Sequence, residues 1–262
     1  MGSLRRMPPK AMVRVVLALA LSWLVTTGSY SAAVGTSRSP DQYGGKQQGR
    51  QAKSSNWAGY ADSGATFSDV EGSWTQPAAS CTTVSEAAFW VGIDGYVKGD
   101  DTVQQIGTDS DCAKVRVGKK KKLVGSYYAW YQVYPDSLVV LPEGIYPVHS
   151  GDVLDAEVSE PSSSSITLIL HDATYGWTYS VSPSLPSTPL RASAEWIVEA
   201  PTAKLTDFGS VTFSEASAND DTMSSFIEHE IEMAKKKGAL VRAYPAPSPP
   251  VTSGFEVVWN HL

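Results

Sequence analysis

From Ser54 onward, short runs rich in Val, Ile, Thr, Tyr, Trp and Phe alternate with Gly, Pro, Asp and Ser. Within these runs the apolar positions mostly repeat every second residue, a period typical of half-buried β-strands. The pattern predicts strands at Asn56–Ala61, Ser68–Thr75, Glu86–Ile93, Tyr127–Tyr134, Val153–Ser159, Ser165–Asp172, Thr178–Val181, Ala192–Val198, Leu205–Phe213, His229–Ala234, Ala239–Tyr244 and Phe255–Trp259. Asp172–Trp177 and Lys235–Gly238 have the composition of hairpin turns.

This order of elements predicts an all-β fold. Many short strands at regular spacing, with no βαβ alternation and no long amphipathic helix, favour an antiparallel sandwich or barrel. We find no internal repeat and no break in composition after residue 54. Residues 54–262 are therefore predicted to form one domain, and about 210 residues can bury a substantial core.

The first 33 residues have the layout of a secretory signal peptide. Residues 1–14 are basic, residues 15–25 are apolar, and Ser31-Ala32-Ala33 offers small residues before a cut after Ala33. The apolar run of about 11 residues is shorter than the roughly 20 residues of a membrane span. We expect a secreted protein that leaves the membrane once this segment is removed; a buried helix or a retained anchor is the alternative. Residues 34–53 read equally well as a short propeptide or as a disordered leader.

Charge and composition narrow the class of protein. Aromatic residues make up 10% and charged residues 18%, which excludes a disordered chain and a coiled coil. The formal net charge is −6, and removing residues 1–33 leaves 17 Lys and Arg against 27 acids, a net of −10. An acidic surface argues against nucleic-acid binding, and the run Lys119–Lys122 is predicted to be a solvated loop.

The chain has two cysteines, Cys81 and Cys112. In a secreted protein two cysteines most simply form a disulfide, which here would close a loop of about 30 residues; two buried thiols are the alternative. The four histidines are scattered, and no His/Cys group has the spacing of metal ligands. We therefore expect no metal site.

Several familiar catalytic motifs are missing from the sequence. There is no Gly-x-Ser-x-Gly, no His-Glu-x-x-His and no P-loop. Asp62-Ser63-Gly64 matches half of an aspartic peptidase site, but that chemistry needs two such aspartates and no second one occurs. A β-turn is the stronger interpretation of this segment.

Two glutamates and a group of aromatic residues stand out on the predicted strands. Glu195 and Glu199 would share one face with their Cα atoms about 13 Å apart, which is wide for the glycosidase separation of about 5–9.5 Å. Each either lines a cleft or is a hydrogen-bonded structural acid. Trp130 shares a strand face with Tyr128 and Gln132. Such a face is usually core, but where the opposite face is also apolar it can line a groove for extended peptides or sugars.

Seven short segments follow one another along the chain: Ser55–Tyr60, Gly72–Pro77, Phe89–Gly95, Gln105–Asp109, Ala129–Asp136, Ala194–Glu199 and Asp207–Phe213. In this order they resemble the glutamic peptidases, or eqolisins, a family of secreted acid endopeptidases. The resemblance covers essentially the whole of residues 54–262. It implies an antiparallel β-sandwich of two seven-stranded sheets, of the concanavalin-like or jelly-roll type. It also implies a monomer that cleaves protein or peptide substrates without a cofactor.

The resemblance also implies roles for individual residues. Gln105 and Glu195 correspond to the family's catalytic Gln and Glu, while Gln104 would point to the other face of the strand. Glu199 looks like a second acid of the cleft. The residues that correspond to the family's substrate-binding positions are Trp57, Trp90, Asp94 and Trp130. The neutral Tyr128 and Gln132 depart from the acids that fungal members often carry beside the cleft tryptophan.

These residue types suit peptide hydrolysis. A carboxylate can take a proton from the attacking water, and a Gln amide can stabilise the resulting oxyanion without carrying charge. Because the base is a carboxylate, we expect activity to extend to low pH. Two alternatives remain at this point: a non-catalytic sandwich that binds peptide or glycan in an aromatic groove, and a glycosidase, which would need a carboxyl partner within about 9.5 Å of Glu195.

Overall fold

The computed structural model describes residues 52–235, 240–246 and 254–261. Regular structure in these ranges consists of sixteen strands and one 3₁₀ turn, Met223–Ser225. The strands are β1 Ala52–Ser54, β2 Trp57–Ser63, β3 Asp69–Thr75, β4 Ala88–Ile93, β5 Val103–Val117, β6 Lys120–Tyr134, β7 Val139–Val140, β8 Val153–Ser162, β9 Ser165–Asp172, β10 Trp177–Val181, β11 Ser193–Glu199, β12 Ser210–Ala218, β13 Asp221–Thr222, β14 Ile227–Ala234, β15 Val241–Pro245 and β16 Gly254–Trp259. Within the described ranges, no helix has the length and apolar character needed to cross a membrane.

The strands form two layers that pack face to face. The first layer runs in the order β10-β9-β8-β3-β12-β16-β15 and the second in the order β14-β2-β11-β4-β5-β6-β7. Strands β4 and β5 of the second layer contact β8 of the first, and β11 contacts β3 and β12. The strand pairing is antiparallel except for β1, which runs parallel to β14. The predicted all-β antiparallel sandwich is confirmed.

The predicted number of sheets is wrong. Each layer has seven strands, but β14 and β15 are hydrogen-bonded through the pairs Met233–Ala243 and Ala234–Val241. The backbone N–H of Lys235 also donates to the carbonyl of Leu240. Because consecutive strands of this hairpin belong to opposite layers, they join the layers into one continuous, folded sheet.

Most predicted strands lie where the pattern put them, and two parts of the prediction need correction. The long strand β5 was missed, and the predicted solvated loop Lys119–Lys122 is the exposed tip of the β5–β6 hairpin. The predicted strand Leu205–Phe213 begins only at Ser210. The backbone turns before it, at Gly209, which has φ +68° and donates its N–H to the Asp207 carboxylate.

Both faces of the second layer are buried. Between the layers lies the main core, whose largest members include Trp74, Phe89, Trp196 and Phe213. A second apolar cluster covers the opposite face and contains Trp57, Ala61, Ala88, Trp90, Tyr96, Val103, Trp130, Ile197 and Ile231. As a result all seven residues of β11 are buried, including the polar ones.

The disulfide between Cys81 and Cys112 is confirmed, and it ties the segment before β4 to β5. The predictions made for residues 1–33 and for most of 34–53 lie outside the described residues. Ala52 and Lys53, at the end of the predicted linker, belong to β1.

Outside the predicted dyad, the carboxyl groups of Asp62, Asp94 and Glu160 are fully buried. Burial, and to a smaller extent Glu228, raises the pKa of Asp62 to about 8. Burial also raises the pKa of Glu160 to about 8, with a further contribution from Asp94. The pKa of Asp94 itself rises to about 7 through burial and the neighbouring Asp100. All three groups are therefore held in the protonated form in acid.

We expect the protein to be most stable in acid and to lose stability as the pH rises from about 4 to about 8. In strong acid these carboxyls are protonated in both the folded and the unfolded chain and do not affect the free energy of unfolding. At higher pH the unfolded chain ionises freely, whereas the folded chain keeps buried acids uncharged, so unfolding becomes easier. Thermal unfolding across this range is the measurement. Asp62→Asn should reduce the loss on the alkaline side, and Asp221→Asn, at an exposed position, should not; equal losses in both variants would contradict the assignment.

Candidate active site

Glu195 and Gln105 lie on the same face of the second layer. In the antiparallel register Glu195 of β11 pairs with Gly92 of β4, and Gly92 pairs with Gln105 of β5. The two side chains are thus two strands apart in one cross-strand row, with Cα atoms about 10 Å from each other. Both are buried, with exposures of 0% for Glu195 and 4% for Gln105. The structure therefore brings together the two residues predicted to be catalytic.

The residue between them has no side chain. A Cβ atom on Gly92 would lie 3.0 Å from the ring of Trp90, 3.0 Å from the carbonyl of Gln104 and 3.3 Å from Cβ of Gln105. These are tight but not impossible contacts. Glycine here leaves a gap between the carboxyl of Glu195 and the amide of Gln105 that a larger residue would reduce.

A second amide holds Gln105 in place. Nε2 of Gln105 donates to Oε1 of Gln132 over 3.0 Å, and Nε2 of Gln132 donates to the carbonyl of Asp136 over 2.8 Å. Gln132 is the next member of the same cross-strand row. Since an amide nitrogen carries two hydrogens, Gln105 keeps one N–H for another acceptor.

The Glu195 carboxyl is in an environment that disfavours charge. Among the described residues, neither of its oxygens has a partner of good hydrogen-bond geometry. Burial raises the pKa of Glu195 well above its usual range, and the nearby Asp94, Asp100 and Asp62 raise it further. The Ser193 hydroxyl acts in the opposite direction: it lies close enough to stabilise the ionised carboxylate and lowers the pKa, although it forms no hydrogen bond of good geometry.

Glu199 fixes one wall of the site. Its Oε1 accepts a hydrogen bond from Nδ2 of Asn56 over 3.0 Å and its Oε2 accepts one from Nε1 of Trp90 over 3.1 Å. The rings of Trp57 and Trp90 meet edge to face, with centroids 5.0 Å apart. Burial raises the pKa of Glu199 to about 7, while Asn56 and the two indoles lower it. Glu199 therefore holds Trp90 by its indole N–H, and Trp57 packs against the ring of Trp90.

Asp109 holds aromatic side chains on the other side of the site. It accepts hydrogen bonds from the indole of Trp130 and, over 3.0 Å, from the phenol of Tyr128. The Tyr128 oxygen also lies 3.0 Å from a carboxyl oxygen of Asp111. A phenol has one proton, so the second contact requires a protonated carboxyl. Burial supplies that condition, because it raises the pKa of Asp111 to about 8 and that of Asp109 well above its usual range.

Asp94 lies just beyond the end of β4, at φ +72°. Its carboxylate accepts hydrogen bonds from the backbone N–H groups of Arg191 and Ala192, at 2.9 and 2.7 Å, and it is fully buried. This geometry orders the turn that leads into β11. Its role in binding substrate stays a prediction, as do those of Trp57, Trp90, Trp130 and Glu199.

Two residues near the dyad lie on the other face of the layer. Gln104 points into the main core, where neither amide atom has a hydrogen-bond partner among the described residues. Asp62, in the segment that matched half an aspartic peptidase site, shares that face in the same cross-strand row as Gln104. It therefore points away from Glu195. Within the described part of the chain, no group of three or more His, Cys, Asp or Glu side chains is arranged to hold a metal ion.

Sequence reasoning missed the roles of two residues, Asp109 and Gln132. Asp109 falls four positions after Gln105, and Gln132 two positions after Trp130. On extended strands these spacings place each residue on the face of its neighbour. The period-two argument had already placed Gln132 beside Trp130, but it gave no sign of the contact with Gln105; for Asp109 the argument was available once β5 was recognised as a strand.

The chain is similar to several known peptidases. Aspergillopepsin-2 of Aspergillus niger is 28% identical over 184 residues, which cover 63% of this chain and 64% of that protein, so the match spans less than two thirds of the relative. Scytalido-glutamic peptidase, solved with a transition state analog inhibitor, superposes with a TM-score of 0.64 at 22% identity, covering 79% of this chain and 98% of that one. SCP-B, a member of the eqolisin family solved with the tripeptide Ala-Ile-His, gives 0.58 at 22% identity with the same coverage.

At these identities the solved structures show a shared fold. The family itself is shown by the sequence model described as the Peptidase A4 family, which matches residues 55–241. That range takes in β2 to the start of β15 and both residues of the predicted dyad. It covers most of the chain and confirms the resemblance drawn from the seven segments: the chain belongs to the Peptidase A4 family.

Proposed function

We propose that this protein is a secreted endopeptidase that hydrolyses peptide bonds of proteins in acid, with Glu195 and Gln105 as its catalytic pair. The observation that carries the proposal is the cross-strand row in which these two side chains flank Gly92. Membership of the Peptidase A4 family supports peptidase activity. The disulfide is consistent with secretion, because such bonds persist mainly outside the cytoplasm.

In the first step a water molecule lies between the two side chains, in the gap above Gly92. Glu195 acts in its ionised form, which is the minor form in acid because burial raises its pKa. This carboxylate takes a proton from the water, whose oxygen forms a bond to the carbonyl carbon of the substrate. The electron pair of the carbonyl double bond moves onto its oxygen. The free N–H of Gln105 donates to that oxyanion, while its other N–H stays on Gln132.

In the second step the tetrahedral intermediate collapses. Its carbonyl forms again, the C–N bond breaks, and Glu195 returns the proton to the leaving amine. Glu195 ends as the carboxylate that began the reaction. The negative charge passes from Glu195 to the oxyanion and back, and no other charge forms in the buried site. The aromatic rings held by Glu199 and Asp109 line the same face and are suited to the extended backbone and side chains of a peptide.

Removing either member of the pair should abolish most of the turnover. We expect Glu195→Gln to lower kcat by about 10²–10⁴-fold and Gln105→Ala by about 10²–10³-fold, the usual size of general-base and oxyanion contributions. Protein digestion across acidic pH is the assay. Glu143→Gln, an isosteric change at an exposed carboxyl, should leave the rate unchanged. Full activity in either dyad variant would refute the pair, and tight peptide binding without turnover in the unmodified protein would favour the non-catalytic alternative.

A methyl group placed in the gap should reduce catalysis more than folding. Gly92→Ala puts a Cβ within 3.0–3.3 Å of Trp90, Gln104 and Gln105, contacts that need shifts of only a few tenths of an ångström. We expect kcat/KM to fall by at least about tenfold, because the methyl takes the place of the attacking water, while the free energy of unfolding falls by about 1–3 kcal/mol. Gly144→Ala, which meets nothing within 4 Å, is the matched control. Loss of activity that only follows loss of folded protein would count against the water position.

Ser193 should influence the pH at which Glu195 becomes ionised and can act as the base. Its hydroxyl lowers the pKa of Glu195, so Ser193→Ala should raise that pKa and shift the acidic limb of the kcat/KM profile to higher pH. The maximal rate should change less than the position of the limb. Ser187→Ala, at an exposed site, should not move the profile. An unchanged limb in Ser193→Ala would mean that Glu195 is not the group that titrates there.

A further inference from the structure

The tip of the β5–β6 hairpin carries a concentration of positive charge that the proposed function does not use. We call residues 113–126 the basic ribbon. Its cations are Lys114, Arg116, Lys119, Lys120, Lys121 and Lys122. From Ser54 to the C-terminus the sequence has 13 Lys and Arg against 26 Asp and Glu, so this ribbon holds six of the thirteen cations. There is no acid between Asp111 and Asp136.

The ribbon extends into solvent on both of its faces. Every residue from Arg116 to Lys122 is exposed. Arg116 lies directly opposite Lys121 on one face, and Lys120 and Lys122 point to the other, opposite Val117 and Val115. Five cross-strand pairs span about 17 Å, so the charges are dense.

No acid neutralises this charge within the described residues. The ion pairs Lys53–Glu232 and His149–Asp152 do not include a ribbon cation. The Arg116 guanidinium donates instead to the carbonyl of Gly118 in the ribbon's own turn. Like charges directly opposite each other, as at Arg116 and Lys121, destabilise a hairpin. Such a local conflict with stability is typical of a functional segment.

We propose that the basic ribbon is a docking arm for a linear anionic polysaccharide, which the protein binds independently of its catalytic site. A linear polymer can contact cations on both faces of the ribbon, whereas a flat membrane surface meets only one. Five of the six cations are lysines, which bind sulfate and phosphate groups as point charges and are depleted from protein–protein interfaces. The ribbon contains no Phe, Tyr or Trp, so it lacks the stacking surface that single-stranded nucleic acids require.

The base of the ribbon is anchored to the rest of the domain by a disulfide. Cys112 pairs with Gly125 at that point and forms the disulfide to Cys81. Polymer bound beyond this point would therefore be attached to the strand that also carries Gln105. Tethering would keep the protein on a polyanionic matrix while its acidic surface stays in solution.

The test uses the full chain and heparin as the probe, with neutral dextran of similar length beside it. We expect heparin to bind with an affinity that falls steeply with salt, as counterion release requires, and dextran not to bind. Lys120→Gln, Lys121→Gln and Lys122→Gln combined should weaken binding by at least about tenfold at about 0.1 M salt. The matched control combines Lys98→Gln, Lys204→Gln and Lys235→Gln, three exposed lysines elsewhere, and has the same net charge. It should bind within about twofold of the unmodified protein, because its ribbon is intact.

Several outcomes would overturn the proposal. Equal losses in the two triple variants would show a general charge effect, and no loss in either would place the site elsewhere. Binding of single-stranded DNA, or of vesicles rich in phosphatidylglycerol, as tightly as heparin would point to a different partner.

A second copy of the chain would be the partner if sedimentation showed salt-sensitive self-association lost only in the ribbon variant. The acidic groove of about 250 Å³ lined by Glu71, Asp155, Glu157 and Glu215 could receive the ribbon in that case.

Two controls separate folding and catalysis from docking. Removing lysines relieves repulsion, so the ribbon variant should unfold at the same or a higher temperature than the unmodified protein. Glu195→Gln should bind heparin as well as the unmodified protein, which keeps this test independent of the proposed peptidase activity.

Discussion

The burial of the Glu195 carboxyl, without a well-formed hydrogen bond among the described residues, is the constraint on which the site depends. A carboxylate in such a place is expensive in free energy, and the protein responds by raising its pKa. The burial follows from β11 itself, since both faces of the second layer are covered by apolar side chains. A base in a dry environment is a stronger base once ionised, and any charge that forms beside it is less screened.

The same face keeps its aromatic walls in place with two more buried acids. Glu199 and Asp109 lie on either side of Ala88 in one cross-strand row, just as Glu195 and Gln105 lie on either side of Gly92. The two rows differ in what the polar groups do. Glu199 and Asp109 accept indole and phenol hydrogens, whereas the Glu195 oxygens are not engaged in this way. This difference distinguishes the two acids that hold aromatic side chains from Glu195, the proposed base.

Sequence periodicity predicted the strands that have one polar and one apolar face, and β9 lies at the predicted residues, Ser165–Asp172. It failed for β5, where most residues of the first half are polar on both faces. On the core side Thr108 and Ser110 are tolerated because they hydrogen-bond Trp74 and Gln76 across the two layers. Those partners are more than 30 positions away in sequence, so no local pattern reports them.

For the candidate site, the sequence predicted the two main residues but not the contacts that support them. Gln105 and Glu195 came from the family resemblance, and their placement in one row required the register of three strands. Gln132 positions Gln105, and Asp109 positions Trp130, through hydrogen bonds between strands. The spacing of residues along one strand does not define such bonds. The sequence also did not predict that β14 and β15 join the two layers. That contact depends on pairing between the edges of two strands, which the pattern of apolar residues does not define.

The acids around Glu195 explain why its partner, Gln105, is a neutral amide and not another charged group. Asp62, Asp94 and Asp100 all act to raise the pKa of Glu195. A second carboxylate at position 105 would add a like charge two strands away in a dry site, and one of the two acids would then stay protonated through the pH range of activity. Gln105 offers a hydrogen-bond donor without that penalty, and the equally neutral Gln132 orients it without adding charge. A carboxylate at position 132 would hold the amide by a stronger bond, but it would bring one more acid toward Glu195. The neutral pair therefore leaves the ionisation of Glu195 under the control of its burial, the surrounding aspartates and the Ser193 hydroxyl.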